Sequence, residues 1–243
     1  MKVFTFVYGI IAYAIFFVTF LYAAGFMGNL LVPKDIDTGI DTTIFYASMV
    51  NTLLLAIFAI QHSLMARPAF KAWWTKIIGK AAERSTYVLF SSLALILLFW
   101  KWIPIKDVVW EVQHPTISAI ITGIFLLGLA VVLLSTFMIN HFDLFGLKQV
   151  YENLIGREPK KLAFTTNYFY GFVRHPIMLG FLIMLWAVPK MSLGHLFFSL
   201  GSTAYIFIAV KYLEEKDLQK LIGEKYTDYK KKVPMLIPFI GWK

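Results

Sequence analysis

The 243-residue chain contains no cysteine, which removes disulfides, thiolate metal sites and a cysteine nucleophile together. Charge is also scarce: Asp, Glu, Lys and Arg make up 15% of the residues, well short of what a soluble domain of this length carries. The acidic sign is the scarcer, 14 residues against 23 basic ones, which leaves a net charge of +9. Internal repeats and low-complexity tracts are missing as well, and the apolar segments are too unequal for the inverted-repeat pattern of many transporters.

What the chain has in abundance is apolar surface: 59% hydrophobic residues, 17% aromatic ones and a mean hydropathy of +0.69. Runs long enough to cross a hydrocarbon core of about 30 Å fall at residues 3–31, 44–65, 87–102, 117–139, 177–188 and 193–210. The fold class expected is therefore all-α, a polytopic integral membrane bundle of five to six segments. A single membrane domain is expected, with a four-helix part over 1–140 and a C-terminal part over 141–243. The first run begins at Lys2 but shows no small-residue cleavage site before further apolar sequence, so it reads as a retained helix.

The fifth run is short. Pro176 suits a first helical turn, where its missing N–H is an orphan anyway, and Pro189 and Gly194 mark a turn into the sixth run. Together these two runs read as a helical hairpin, re-entrant or full-length. Beyond it, Leu213, Leu218, Leu221, Ile222, Tyr226, Tyr229 and Val233 recur at helical spacing among Lys and Glu, so an amphipathic tail helix is expected over 213–233.

Basic residues are distributed unevenly between the ends of these runs. Nineteen Lys and Arg fall on the side that holds both termini and the loops with Arg67, Lys71, Lys76, Lys80 and Arg84 and with Lys148, Arg157, Lys160, Lys161 and Arg174. Four fall on the other side: Lys34, Lys101, Lys106 and Lys190. The positive-inside rule then makes both termini cytoplasmic, in what would be a bacterial cytoplasmic membrane. The charge clusters beside apolar runs and forms no aromatic-interleaved basic domain, which argues for a bilayer partner and no nucleic acid. Lys230, Lys231 and Lys232 suit anionic headgroups, and Trp73, Trp74, Trp100, Trp102 and Trp110 suit an aromatic belt.

On this topology the polar residues at segment ends fall on one side: Gln61 and His62; Glu83, Arg84 and Ser85; Asn140, His141 and Asp143; Arg174 and His175; Glu214 and Glu215. Arg174 and His175 stand before a Pro-initiated helix, whose unpaired N–H groups and dipole attract an anion. A guanidinium adds a two-pronged donor suited to a carboxylate. Glu214 and Glu215 point about 100° apart on a helix, so one of them is expected to face a ligand. Bland readings stand beside these: cytoplasmic anchoring for Arg174-His175, pairing of the two Glu with Lys211 or Lys216, and structural hydrogen bonds for His62 and His141.

Arg174-His175-Pro176-Ile177-Met178-Leu179-Gly180, followed by Glu214-Glu215, Leu218, Gly223, Tyr226, Tyr229 and Val233-Pro234, resembles the C-terminal signature of the isoprenylcysteine carboxyl methyltransferase superfamily of membrane methyltransferases. That superfamily commonly has Tyr where this chain has Met178. Gln61-His62-Ser63-Leu64-Met65-Ala66-Arg67, Glu83-Arg84-Ser85-Thr86-Tyr87 and Asn140-His141-Phe142-Asp143-Leu144-Phe145-Gly146 are similar to its methanethiol S-methyltransferase branch, which is also grouped with proteins named after nitrite and nitric oxide reduction.

The resemblance implies S-adenosylmethionine as methyl donor and a small thiol as acceptor, with dimethyl sulfide as product. It implies a cofactor site of Arg174, His175, Pro176, Gly180, Tyr212, Glu214, Glu215 and Tyr226, where Gly180 would let the cofactor approach the backbone. A thiol must lose its proton to become a good nucleophile. His62, Asp143, His141 and Arg84 are the candidates for that catalytic work. The alternatives are methylation of a lipophilic carboxyl or lipid, and a haem-binding or accessory protein of nitrogen-oxide metabolism using His ligands.

Overall fold

The computed structural model describes residues 1–158 and 164–238; Lys160, Lys161 and Lys243 of the charge count lie outside them. The elements run α1 (Lys2–Gly28), α2 (Ile44–Ala66), α3 (Pro68–Ile78), α4 (Lys80–Lys101), β1 (Val108–Glu111), α5 (Pro115–Ile139), α6 (His141–Leu144), α7 (Leu147–Leu154), α8 (Phe169–Phe172), α9 (Pro176–Trp186), β2 (Lys190–Ser192) and α10 (Leu193–Ile208). A π-helical turn, Ala209–Glu214, then leads into α11 (Glu215–Ile222) and α12 (Glu224–Lys232). Among the described residues, α1, α2, α4, α5 and the continuous stretch Leu193–Ile222 are long and apolar enough to cross a membrane. The protein is a polytopic, almost wholly helical integral membrane protein.

Chain packing gives two compact units, Met1–Lys106 with Asn140–Lys161, and Asp107–Ile139 with Leu162–Lys243. Helix α5 packs with the C-terminal elements, while α6 and α7 pack with the N-terminal ones. In the first unit the Phe16 and Phe145 rings stack with centroids 3.9 Å apart. Both sit against a core of Met65, Tyr87 and Val88. Gly146, at φ 89, backs onto Ser85: a Cβ there would lie 2.6 Å from Ser85 Oγ, so the turn between α6 and α7 has no room for a side chain. Helix α4 starts at Lys80, seven residues before the apolar run that marks it, and so carries Arg84 on helix.

In the second unit α9 has 11 residues, about 16 Å of helix. That is shorter than the hydrocarbon core, so α9 does not span by itself. It packs on α5 at a close crossing of small residues, where a Cβ on Gly180 would come 2.7 Å from the Gly128 carbonyl oxygen and 2.9 Å from the Val132 nitrogen. The bare face of Gly180 is thus filled by α5, which corrects the expectation that a cofactor approaches it. Gly180→Val should lower stability by about 1–3 kcal/mol, since backbone must shift to admit the side chain. Thermal melting in detergent checks this, with Gly123→Ala, whose added methyl meets open space, expected to melt like the parent.

Two features lie outside the helical expectation. Strands β1 and β2 pair antiparallel, with Val108 opposite Ser192 and Glu111 opposite Lys190, and tie the segment before α5 to the α9–α10 turn. The tail is two helices where one was expected, because Gly223 at φ 73 interrupts it. Within its unit this tail folds back: Arg174 N donates to the Pro234 carbonyl (2.9 Å) and His175 N to that of Met235 (3.2 Å).

Candidate functional site

The sequence-derived residues fall into two clusters, one within each unit. In the second unit, α8 ends in an extended Val173, and Pro176 opens α9 with His175 as its N-cap, so Arg174 and His175 are held at the start of the helix. Arg174 Nε donates to Glu215 Oε1 at 2.6 Å. Its Nη1 donates to the carbonyls of Lys230 (3.1 Å) and Val233 (2.6 Å). The guanidinium is therefore buried and engaged with this chain's own acceptors, so it serves as a clamp between the α9 start and the tail. The two-pronged ligand contact expected of it is not how the side chain is spent.

Glu215 is the hub. Oε1 also receives the Tyr226 hydroxyl (3.4 Å) and lies 3.3 Å from His175 Nε2, while Lys230 Nζ approaches Oε2 at 3.3 Å. The other His175 nitrogen, Nδ1, lies 3.6 Å from Glu214 Oε2. Both carboxylates thus bracket one imidazole, where the sequence argument expected one to turn away. The π-helical turn ending at Glu214 departs from the regular helical step on which that argument rested; such turns recur at functional sites. Glu215 is buried, while the Glu214 side chain is 46% exposed.

Burial alone would discharge His175, but Glu214 and then Glu215 overcome it and raise its pKa to about 9. At neutral pH His175 is an imidazolium. Burial pushes the Tyr226 phenol upward, with Glu215 adding to the effect, so it remains a donor. Lys230 was expected at lipid headgroups and is instead held by Glu215. Tyr212 stands 57% exposed, its ring 5.3 Å from Lys211 Nζ, and does not join the cluster.

In the first unit His62, near the end of α2, meets α4. Its Nδ1 lies 3.1 Å from Ser91 Oγ and the Tyr87 hydroxyl lies 2.9 Å from its Nε2. Arg84 packs over the Tyr87 ring, 5.0 Å from its centroid, and donates Nε to the Leu144 carbonyl at 2.7 Å. Arg84 is thus a link between α4 and α6 rather than a partner of Asp143 or Glu83. Tyr87, quoted only as the end of the Glu83–Tyr87 block, and Ser91 were not named as site residues; one helical turn apart in an apolar run, they were the available signal.

His141 and Asp143 do not share a site. His141 is buried, with Nε2 2.8 Å from the Tyr13 hydroxyl, and burial lowers its pKa so that it stays neutral. Asp143 Oδ2 pairs with Lys148 Nζ at 2.8 Å, and Gln149 Nε2 donates to Oδ1 at 3.1 Å. Helix α5 ends before them, at Ile139, with Asn140 capping α6 by accepting from the Asp143 amide.

The model of the family described as NnrU protein matches residues 50–239, a stretch that includes every candidate residue of both clusters. The chain is 52% identical over 238 residues to Methanethiol S-methyltransferase 1 of Bradyrhizobium diazoefficiens, covering 98% of this chain and 83% of that protein. The chain belongs to the NnrU family, in its methanethiol S-methyltransferase group. Two further members of the group are similar over nearly their whole length: Methanethiol S-methyltransferase of Crocosphaera subtropica, 49% identical (100% and 94% covered), and that of Mycobacterium tuberculosis, 47% identical (97% and 96% covered). No solved structure matches the chain. The likeness read from the Arg174-His175-Pro176 and Gln61-His62 blocks thus extends through the NnrU-family chain from end to end.

Proposed function

We propose that this NnrU-family protein methylates methanethiol to dimethyl sulfide with S-adenosylmethionine as donor, on the cytoplasmic side of a bacterial membrane. The observation that carries the reading is the near-full-length identity to proteins bearing that name. The donor set of the second unit fits the methyl donor: Glu214 and Lys230 keep opposite charges partly exposed, 46% and 38%, beside an imidazolium. Glu214 suits the ammonium or the ribose hydroxyls, and Lys230 suits the carboxylate, with His175 holding Glu214 in place. Arg174, Glu215 and Tyr226 position these groups, and Pro176 sets where the helix begins.

S-adenosylmethionine, when bound, supplies an electrophilic methyl group on a sulfonium. His62, whose ring is oriented by Tyr87 and Ser91, would take the thiol proton, so that the acceptor sulfur is a thiolate when its bond to the methyl carbon forms and that carbon's bond to the sulfonium sulfur breaks, leaving S-adenosylhomocysteine. Asp143 and Arg84 support that unit through Lys148, Gln149 and the Leu144 carbonyl.

His62→Ala should reduce kcat about 100-fold, the lower range for loss of a general base, with little change in the donor's KM. Steady-state kinetics over a pH series checks this, and partial rescue at higher pH is expected because the thiol then ionises unaided. Glu214→Ala should weaken donor binding about tenfold, the worth of one hydrogen bond to a charged group. Calorimetric titration of the folded protein with S-adenosylmethionine tests it; no heat from the parent protein, in a sample that melts cooperatively, would sink the cofactor assignment.

A further inference from the structure

Helix α3 is an eleven-residue segment with no buried residue. It is set off by two breaks: Arg67, in extended conformation, ends α2, and Gly79, at φ 76, precedes α4. Both flanking helices are of membrane-crossing length, so α3 connects two spans at one boundary of the hydrocarbon.

Its sequence is two-faced. Phe70, Trp73, Trp74, Ile77 and Ile78 recur at three, four, seven and eight residues from the first, the spacing of one helical face. Lys71, Ala72, Thr75 and Lys76 occupy the other. Arg67, Lys71, Lys76 and Lys80 supply four positive charges, and no Asp or Glu occurs between 67 and 80. One edge of the apolar face is used internally, where Phe70 packs against the core of Met65, Tyr87 and Val88. The other edge is open: Trp73 is 53% and Ile77 60% exposed. An exposed Trp and Ile beside lysines, at the end of two spanning helices, is costly in water and favourable at the headgroup–acyl boundary.

We propose that α3 lies in the membrane plane and docks on an anionic phospholipid surface, with Trp73 and Ile77 inserted and Lys76 and Lys80 against the headgroup phosphates. Apolar insertion fixes the orientation of the helix. The uniform positive sign selects the lipid charge, because a basic segment beside a membrane gains from anionic headgroups and little from zwitterionic ones. This docking is independent of the methyl-transfer reading.

The absence of cysteine makes the test direct, since one introduced thiol is labelled uniquely. Full-length Ile77→Cys and Ala72→Cys proteins, each carrying a nitroxide, are reconstituted in vesicles of phosphatidylcholine alone and of phosphatidylcholine with phosphatidylglycerol. The label at 77 should be reached by oxygen and shielded several-fold from a water-soluble nickel relaxant relative to the label at 72. The shielding should deepen with phosphatidylglycerol, and Lys76→Gln with Lys80→Gln should abolish that deepening. Equal nickel access at both positions would overturn the proposal. So would a label at 77 shielded from oxygen and nickel alike, which means a protein surface covers it, and so would shielding indifferent to phosphatidylglycerol.

Discussion

Glu215→Ala should be the most damaging single substitution in the chain. It removes the carboxylate that receives Arg174 Nε at 2.6 Å and the Tyr226 hydroxyl and approaches His175 and Lys230. What is left is a buried guanidinium and a buried imidazolium without their shared anion. Removing one partner of a buried ion pair costs about 3–5 kcal/mol, a large part of a typical protein's whole stability. The variant is expected to give little folded protein, read as loss of the monodisperse peak and of a cooperative melt in detergent. Glu214→Ala, at the exposed side of the same imidazole, should fold normally. Equal damage from the two would show that the cluster is not organised around Glu215.

Stability should also fall on the alkaline side. His175 has a folded-state pKa of about 9 against an ordinary 6.5. Its contribution is complete below about 6.5 and is lost as pH rises through about 9. The displacement corresponds to roughly 3 kcal/mol as an order of magnitude. The groups facing the imidazole are Glu214 and Glu215, with Arg174, Tyr226 and Lys230 around Glu215. The melting temperature of the parent should drop between about pH 7 and about pH 9.5, whereas His175→Gln should melt lower at pH 7 and change little across the window. Parallel slopes for the two proteins would show that His175 does not carry the linkage.

Most of the fold was legible because bilayer physics constrains sequence strongly. A spanning segment must be a long apolar helix, and α1, α2 and α5 begin and end within two or three residues of their apolar runs. Elements fixed by tertiary contacts were not legible. Strands β1 and β2 are four and three residues long, and each forms only because the other comes alongside from some eighty residues away. The break at Gly223 and the π-helical turn before Glu215 leave no signature in hydrophobic period.

The candidate site divides the same way. Residue types before a Pro-initiated helix and at the end of the last span named Arg174, His175, Glu214 and Glu215, the family resemblance added Tyr226, and the structure gathers these five. The placing of Arg174 was not legible, since a sequence shows that it is a donor and cannot show that its own tail supplies the acceptors. Lys230 was hidden in a run of three lysines, and Tyr87 and Ser91 in an apolar helix. Tyr212 was included by the family resemblance, yet its side chain is exposed and meets Lys211.

Methyl transfer is read directly by a product assay on purified, reconstituted protein supplied with S-adenosylmethionine and methanethiol. Dimethyl sulfide in the headspace and S-adenosylhomocysteine in solution are expected in equal amounts, both abolished in a Glu214→Ala, His62→Ala double variant that still melts cooperatively. Donor binding with no dimethyl sulfide formed would contradict the proposed reaction.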